Sequence, residues 1–425
     1  MISVIVGFLI LALAVTGTPL FVVFGGLALI LFAMAGIDTS AITIEISRIA
    51  TSSVLITIPL FTFAGYMMAD SGTPRRLINL IHALVGWFKG GSAIVAIVVC
   101  AFFTSFSGAS GVTIIAMGGI LFPMLLKDKY SEKFSLGLLT TSGSLGLLFP
   151  PSILIILYGI IAKVSITKLF IAGIIPGIML IILMSILSIM EGNRVQNVEA
   201  FSLKKLWQAF RGAIWEIPLP FVVLWGIYSG TFTASEAAVL TALYAFIIEV
   251  FIYKDLNLRY DLPRVIRSSM IVVGGIFVIL GSAMGLTNYL VNEQVPMKIL
   301  DWMKQFIHSK VVFLLLLNVF LIIVGAVLDV FSAIIVVLPL IVPIAVQFGI
   351  DPVQMAVIFL TNLEIGYSAP PAGINLFIAS FRFRKPVLTL AKSALPFLLM
   401  MIIGLMIITY VPDLSLFLVK LLKVE

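Results

Sequence analysis

Residues 362–377 read NLEIGYSAPPAGINLF, which sets two adjacent prolines in the middle of an apolar stretch. In lipid such a stretch has to be helical, because no water is present to satisfy freed backbone groups. Pro370 and Pro371 remove two amide donors, and Pro370 pushes Ala369 out of helical geometry. Gly366 and Gly373 flank the break. A broken helix at membrane depth survives only where protein or a water-lined cavity covers the freed groups. Those carbonyls and amides are suited to hold a cation or a carboxylate, so the stretch reads as half of a binding site.

The other half lies 220 positions earlier, where residues 146–152 read GLLFPPS. One offset pairs Pro150 and Pro151 with Pro370 and Pro371, and Gly146 with Gly366. The same offset pairs Gly65 with Gly285, Pro123 with Pro343 and Pro176 with Pro396. Anchors in order at one spacing mark an internal repeat. Matching proline-broken segments in two halves point to the site of a transporter.

Hydrophobic residues make up 61% of the chain and charged residues 11%, against about half and a quarter in soluble domains. The chain is therefore an all-α polytopic membrane protein, long enough for ten or more crossings at ~20 residues each. Residues 2–35 have no basic start and no evident cleavage site, so they read as a retained helix rather than a signal peptide. The single Cys100 excludes disulfide frameworks and cysteine metal sites. A net charge of +7 fits basic loops on one membrane face rather than a nucleic-acid partner.

Taken in order, residues 2–35 cross and 48–69 return. Residues 75–89 carry Leu77, Leu80, Ile81, Leu84 and Phe88 at helical spacing, which predicts an interfacial arm. Residues 92–126 are interrupted at 105–111, which predicts a hairpin that enters and leaves on one side. Residues 134–162 are the first broken crossing, and 169–190 follow it. Residues 193–211 read as a loop and surface segment, and 213–229 and 235–251 as crossings. Thr233 and Glu236 have capping-box spacing. Residues 254–267 read as a basic loop between the repeats, 270–290 as a crossing and 297–308 as a second arm. Residues 311–345, interrupted at 325–329, form the second hairpin, and 353–380 the second broken crossing. Residues 387–410 and 414–422 end the chain.

Grouped by role, residues 1–91 are scaffold helices and the first arm, and 92–192 the transport part of the first repeat. Residues 193–310 are scaffold helices, the inter-repeat loop and the second arm. Residues 311–411 are the transport part of the second repeat, and 412–425 a terminal amphipathic segment. With the amino terminus cytoplasmic and the carboxyl terminus periplasmic, 17 Lys and Arg fall inside and eight outside, with Lys392 within a crossing. This plan puts residues 127–133 inside and their counterpart 347–351 outside. The repeats are then inverted, and two re-entrant hairpins meet two broken helices at the midplane.

No GxxxxGK[ST] run is present, so the chain carries no nucleotide motor motif. His82 and His308 fall in the arms, away from the midplane. Residues 107–111, SGASG, lack the strand-turn-helix context of a serine nucleophile. What remains is oxygen: Ser105, Ser107, Ser110, Ser142, Ser144 and the carbonyls before Pro150, matched by Gly325, Asp329, Gly366, Ser368 and Ala369. Hard neutral oxygens suit a small alkali cation. Asp329 and Glu364 are intramembrane acids, a class that is costly and usually functional. Helix capping or pairing is the plainer reading of each. Half-helix amino termini at 107–111 or 372–375 suit a carboxylate substrate, with Ser110, Ser144, Ser368 and Asn375 as its candidate contacts.

The segments IPLFTFAGYMM (58–68), GSLGLLFPPSILIILYG (143–159), FIAGIIPG (170–177), GIYSGTFTASEAA (226–238), GAVLDVFSAIIVVLPLIVPI (325–344) and NLEIGYSAPPAGINLFIAS (362–380) carry a resemblance over nearly the whole chain. It resembles the large membrane subunit of tripartite ATP-independent periplasmic (TRAP) transporters. The resemblance implies an elevator-type, sodium-coupled importer of organic acids, of the C4-dicarboxylate or sialic acid type, on an ion-transporter fold. It implies a separate small membrane subunit, a periplasmic substrate-binding protein, a bacterial inner-membrane location and no cofactor beyond sodium ions. It places one sodium ion at Ser105, Ser107, Gly108, Gly146, Phe149 and Pro150, and another at Gly325, Asp329, Gly366, Ala369 and Ala372. Ala369 stands where many members have Thr, leaving only backbone oxygen there. The alternative is a self-sufficient sodium/proton or anion antiporter on a similar inverted repeat, which would want a titratable pair at the midplane.

Overall fold

The computed structural model describes residues 18–36, 38, 40, 43–44, 47, 53–192, 200–370 and 373–422. Every regular element among them is helical. In order these are α1 (Leu20–Met34), α2 (Thr57–Asp70), α3 (Thr73–Val85), α4 (Gly91–Ser107), α5 (Ser110–Lys127), α6 (Glu132–Ser142) and α7 (Ile153–Ala162). There follow α8 (Ile166–Ala172), α9 (Ile174–Gly192), α10 (Leu203–Gly212), α11 (Pro218–Tyr228), α12 (Ala234–Phe246), α13 (Asp261–Asn292) and α14 (Val295–Lys304). The last are α15 (Lys310–Val327), α16 (Val330–Gln347), α17 (Pro352–Ser368), α18 (Ile374–Phe383), α19 (Val387–Tyr410) and α20 (Asp413–Leu421). Among the described residues 7 spans, or up to 9 if each bent pair is one span, are long and apolar enough to cross a membrane.

Helices α4 and α5 form the first hairpin. At its base Ser92 Oγ donates to Asp128 Oδ2 over 2.5 Å. Near its tip Thr104 Oγ1 meets Thr113 Oγ1 at 2.7 Å. The chain thus returns to the face it left, turning at Gly108, whose φ of +64° is the left-handed backbone that glycine tolerates. Helices α15 and α16 form the second hairpin. Lys310 Nζ donates to the Gly349 carbonyl over 2.7 Å, and the Phe313 and Phe348 rings stack at 4.2 Å across its base.

The broken crossings are α6 with a 3₁₀ turn (Leu145–Leu148) and then α7, bent by 46°, and α17 followed by α18. They run antiparallel. Lys385 beyond α18 pairs with Glu132 at the start of α6 at 2.7 Å. Tyr158 in α7 donates to the Pro352 carbonyl at the start of α17 over 3.4 Å. Since Asp128 adjoins α6 and Gly349 adjoins α17, the two hairpin bases lie on opposite faces. The inverted repeat is therefore visible in the contacts themselves. The two broken crossings pass each other where Ser144 Oγ meets the Glu364 carbonyl at 3.4 Å, residues 220 apart and so equivalent in the two repeats.

Hydroxyls buried in these apolar helices donate to their own backbone, as Thr140 does to Leu136 and Thr361 to Val357, both at 2.7 Å. Intrahelical pairing of this kind lets Ser and Thr line a site without unsatisfied donors. Some helix starts are capped by side chains. Thr233 and Glu236 make a capping box, and Asp351 caps α17 ahead of Pro352. Glu216 and Glu249 are paired rather than solvated. Arg76 binds both, with Nη2 at 3.1 Å from Glu249, and reaches Asp255 at 2.6 Å.

Several boundaries depart from the sequence expectation. Residues 261–267, read as loop, are the first turns of α13, a 32-residue helix whose charged end carries exposed Arg264 and Arg267 out of the apolar zone. Within the segment read as loop and surface at 193–211, residues 203–211 belong to the amphipathic helix α10. The first arm ends at Val85 and the second at Lys304, so His308 lies beyond its arm. Of the first predicted crossing, residues 2–17 lie outside the described residues, as do 48–52 of the second.

Candidate functional site

Each hairpin grips its own broken helix with its incoming arm, and glycines set the distance. A methyl at Gly146 would sit 2.6 Å from Ser105 N and from Thr104 Cβ, and would strike the Ala101 carbonyl. One at Gly366 would lie 2.7 Å from Gly325 Cα and 2.8 Å from the Ile322 carbonyl. These are equivalent contacts in the two repeats, and real Cβ atoms do not approach backbone so closely. The outgoing arms reach across: α5 packs on α18, and α16 on α7.

At the first expected cation position, Ser105 and Gly146 are brought together. Ser105 Oγ already donates to the Phe102 carbonyl over 2.7 Å, which leaves its lone pairs to accept or ligate. Ser107 Oγ lies 3.4 Å from both Ala109 N and Ala109 O, within the tip. Gly108 abuts Ile153, whose Cβ would lie 2.9 Å from a methyl placed on that glycine. The Phe149 ring packs against Gly177, and its carbonyl, the group the expectation would use, accepts from Ser152 N over 3.1 Å. Pro150 is buried, with a cis bond to Pro151. The oxygens here are neutral hydroxyls and carbonyls, a set that fits a hard monovalent cation.

At the second position Gly325 and Gly366 touch, and the Ala369 amide donates to the Gly366 carbonyl over 3.0 Å. Asp329 caps α16: its Oδ1 accepts from Phe331 N and Ser332 N at 3.0 Å each, and Oδ2 from the Ser332 hydroxyl. Beside it the Tyr367 hydroxyl accepts from Val330 N. The plainer capping reading of Asp329 thus accounts for its carboxylate. Ala372 and Pro371 lie outside the described residues.

Three of the four substrate candidates are joined in one buried chain. Ser110 Oγ donates to Asn375 Oδ1 over 2.7 Å, Asn375 Nδ2 to Ser368 Oγ over 3.2 Å, and Ser368 Oγ to the Thr140 carbonyl over 3.4 Å. All three side chains are buried. Ser144 stands apart, on the crossing with Glu364. The Glu364 side chain is fully buried there, and neither carboxyl oxygen has a hydrogen-bond partner among the described residues.

Sequence reasoning missed a second polar chain. Asn362 Nδ2 donates to Asn318 Oδ1 over 2.8 Å, Asn318 Nδ2 to Thr409 Oγ1 over 3.0 Å, and Gln354 Nε2 to the Thr409 carbonyl over 3.0 Å. Its signal was Asn318, a lone amide in the run VVFLLLLNVFLIIVG. Thr104 was also missed, although its hydroxyl ties the first hairpin to the Gly143 carbonyl at 2.6 Å.

Comparison with known proteins agrees with this architecture. The large permease protein DctM of the C4-dicarboxylate TRAP transporter of Rhodobacter capsulatus is 34% identical, over 97% of this chain and 98% of the relative. The isethionate TRAP transporter permease protein DctMQ of Oleidesulfovibrio alaskensis is 33% identical over 95% of this chain and 64% of that longer protein. The ectoine permease TeaC of Halomonas elongata is 30% identical over 94% of this chain and 91% of its own length. In fold, the chain matches the YdaH transporter of Alcanivorax borkumensis with a TM-score of 0.62 at 15% identity, covering 94% of this chain and 96% of that one. Residues 4–414 match the family described as "Tripartite ATP-independent periplasmic transporter, DctM component". This is a family of multi-pass membrane permeases and not of enzymes, and the chain belongs to it.

Proposed function

We propose that the chain is the sodium-coupled large permease subunit of an importer for a small organic acid. The observation that carries this is an uncapped helix start. Helix α5 begins at Ala109 with no side-chain cap, whereas α16 begins at the equivalent Asp329, whose carboxylate fills the cap. A carboxylate arriving at the first tip takes in α5 the place that Asp329 takes in α16, with the helix dipole and free amides favouring its charge. Ser110 and Asn375 stand beside that place and supply hydroxyl and amide.

Support for the substrate class comes from relatives named for a C4-dicarboxylate, for isethionate and for ectoine, each a small molecule bearing an acid group. The glycine-gated contacts of Gly146 and Gly366 put oxygen-rich backbone beside each break, as sodium coupling needs. Basic residues concentrate on the face holding the first hairpin's base, which supports a cytoplasmic placement of that face. In this reading hairpins and broken helices move as one body against the arms and α1, α2, α12 and α13. A small membrane subunit and a periplasmic binding protein complete the importer.

The test is uptake of radiolabelled C4-dicarboxylate into proteoliposomes holding this chain and the small subunit, with the binding protein added outside. Uptake that requires both the binding protein and an inward sodium gradient is expected. Uptake that needs no binding protein, or that follows a proton gradient and ignores sodium, overturns the reading and brings the unpaired Glu364 to the centre.

A further inference from the structure

Away from the site, α3 and α10 lie side by side and carry two cavities on opposite faces. One, of about 390 Å³, has Asn79, His82, Lys205 and Gln208 among its lining residues. The other is a groove of about 900 Å³ whose lining includes Leu80, Leu84, Trp207, Phe221 and, from the first hairpin, Phe102. Helical periodicity explains the split, since residues 79 and 82 share one face of α3 while 77, 80, 81 and 84 share the other. Helix α3 also leaves the line of α2 at 74°, as a helix lying along a membrane surface must. An amphipathic pair in that position turns its polar face to water and its apolar groove to the acyl chains.

Exposed basic side chains border the groove on its α10 side, while its one acid is buried. Lys204 lines it, and the Arg211 guanidinium sits 5.0 Å from the ring of Trp207, which also lines it. Glu216, the acid of the lining, is 2% exposed and turned to Arg76, which it shares with Glu249 and Asp255. Cationic side chains above an apolar slot are complementary to a phosphate above an acyl chain.

We propose that this groove is a binding site for one anionic phospholipid, with an acyl chain along Leu80, Leu84 and Trp207 and the phosphate at Lys204. The lipid touches Phe102 of the hairpin on one side and the α3–α10 pair on the other. It therefore fills the seam between hairpin and arm with a chain that can reshape, where a packed side chain would lock the two together.

The test uses the full chain in phosphatidylcholine nanodiscs doped with phosphatidylglycerol that carries a photoreactive diazirine in its acyl chain, the attachment sites being mapped by mass spectrometry. Labelling is expected to concentrate on Leu80, Leu84, Phe102 and Trp207, and to exceed that from a phosphatidylcholine probe. Lys204→Gln, an exposed substitution, is expected to reduce the phosphatidylglycerol preference about fivefold, the equivalent of ~1 kcal/mol for one basic group near an anionic surface. Leu84→Trp, which fills the groove, should cut labelling by both probes. Labelling spread evenly over all membrane-facing helices, or equal for the two probes, overturns the proposal. Labelling lost when the chain is purified with a membrane partner also overturns it, in favour of a protein occupant.

Discussion

The two hairpin tips stand at equivalent places in the repeats but differ in turn and in chemistry, Gly108 being left-handed where Leu328 is extended. In the second repeat Asp329 caps α16, Val330 begins it, and the cross-repeat neighbour in α7 at the position equivalent to Asn375 is Ile155. In the first repeat those positions are Ala109, Ser110 and Asn375, so the helix start is bare and its surroundings are polar. The glycine contacts that dock each hairpin are, by contrast, alike in both halves. Symmetry serves docking, and its breaking leaves one helix start without a side-chain cap and the other capped by its own carboxylate. In the proposed importer the uncapped start of α5 takes the substrate's carboxylate, a place that Asp329 already fills in α16.

The symmetric part should fail in the same way in both halves. Gly146→Ala and Gly366→Ala each drive a methyl into hairpin backbone that cannot yield as a side-chain end would. Overpacking of this kind costs about 1–3 kcal/mol and occasionally more. Both variants are expected to abolish sodium-driven uptake and to lower the melting temperature of the purified chain. If one half tolerates its alanine, the docking contacts are not equivalent.

Transplanting the cap tests the asymmetric part. Ala109→Asp gives α5 the side chain that α16 has, so it should stabilise the hairpin by about 1 kcal/mol. It should also occupy the anion's place and repel the substrate, with uptake falling ~100-fold while thermal stability rises. The combination is diagnostic, because a misfolded variant loses both. Unchanged uptake would remove the first tip from the substrate path.

Asn375→Leu makes the polar junction resemble its apolar counterpart at Ile155. It leaves the buried Ser110 hydroxyl without its acceptor, at a cost of about 1–3 kcal/mol. Uptake should fall by ~10-fold or more through a raised apparent KM, with the sodium dependence kept. A change confined to the maximal rate would make the chain Ser110–Asn375–Ser368 a gate rather than a contact.

Much of this arrangement was legible because lipid leaves a chain few options. Two prolines in an apolar run must break a helix, and a Gly-Ser interruption in 35 apolar residues must be a hairpin, so Pro150, Pro370 and Gly108 announced themselves. What stayed hidden was tertiary. Ser110 and Asn375 are 265 residues apart, and nothing local in either says that they meet. The partner of Glu216 and Glu249 was equally hidden, since Arg76 lies more than a hundred residues from both. The start of α13 was misread because Arg264 and Arg267 look like loop residues, although a helix that rises out of the apolar zone carries charge without breaking.

The smallest expected effect decides the role of Asp329. As a cap, its carboxylate is satisfied by Phe331 N, Ser332 N and the Ser332 hydroxyl, and asparagine caps about as well. Asp329→Ala should then cost about 1 kcal/mol of stability, while Asp329→Asn should stay within ~0.5 kcal/mol of the parent. Neither should move the sodium concentration for half-maximal uptake by more than about twofold. As an ion ligand, by contrast, the charge itself matters, and asparagine fails where it would succeed as a cap. A sodium requirement raised more than ~10-fold by Asp329→Asn at unchanged melting temperature would place the cation on that carboxylate, with ~1.4 kcal/mol or more resting on its charge. The second tip would then be an ion site that also caps its helix, and the contrast between the tips would be cation against anion.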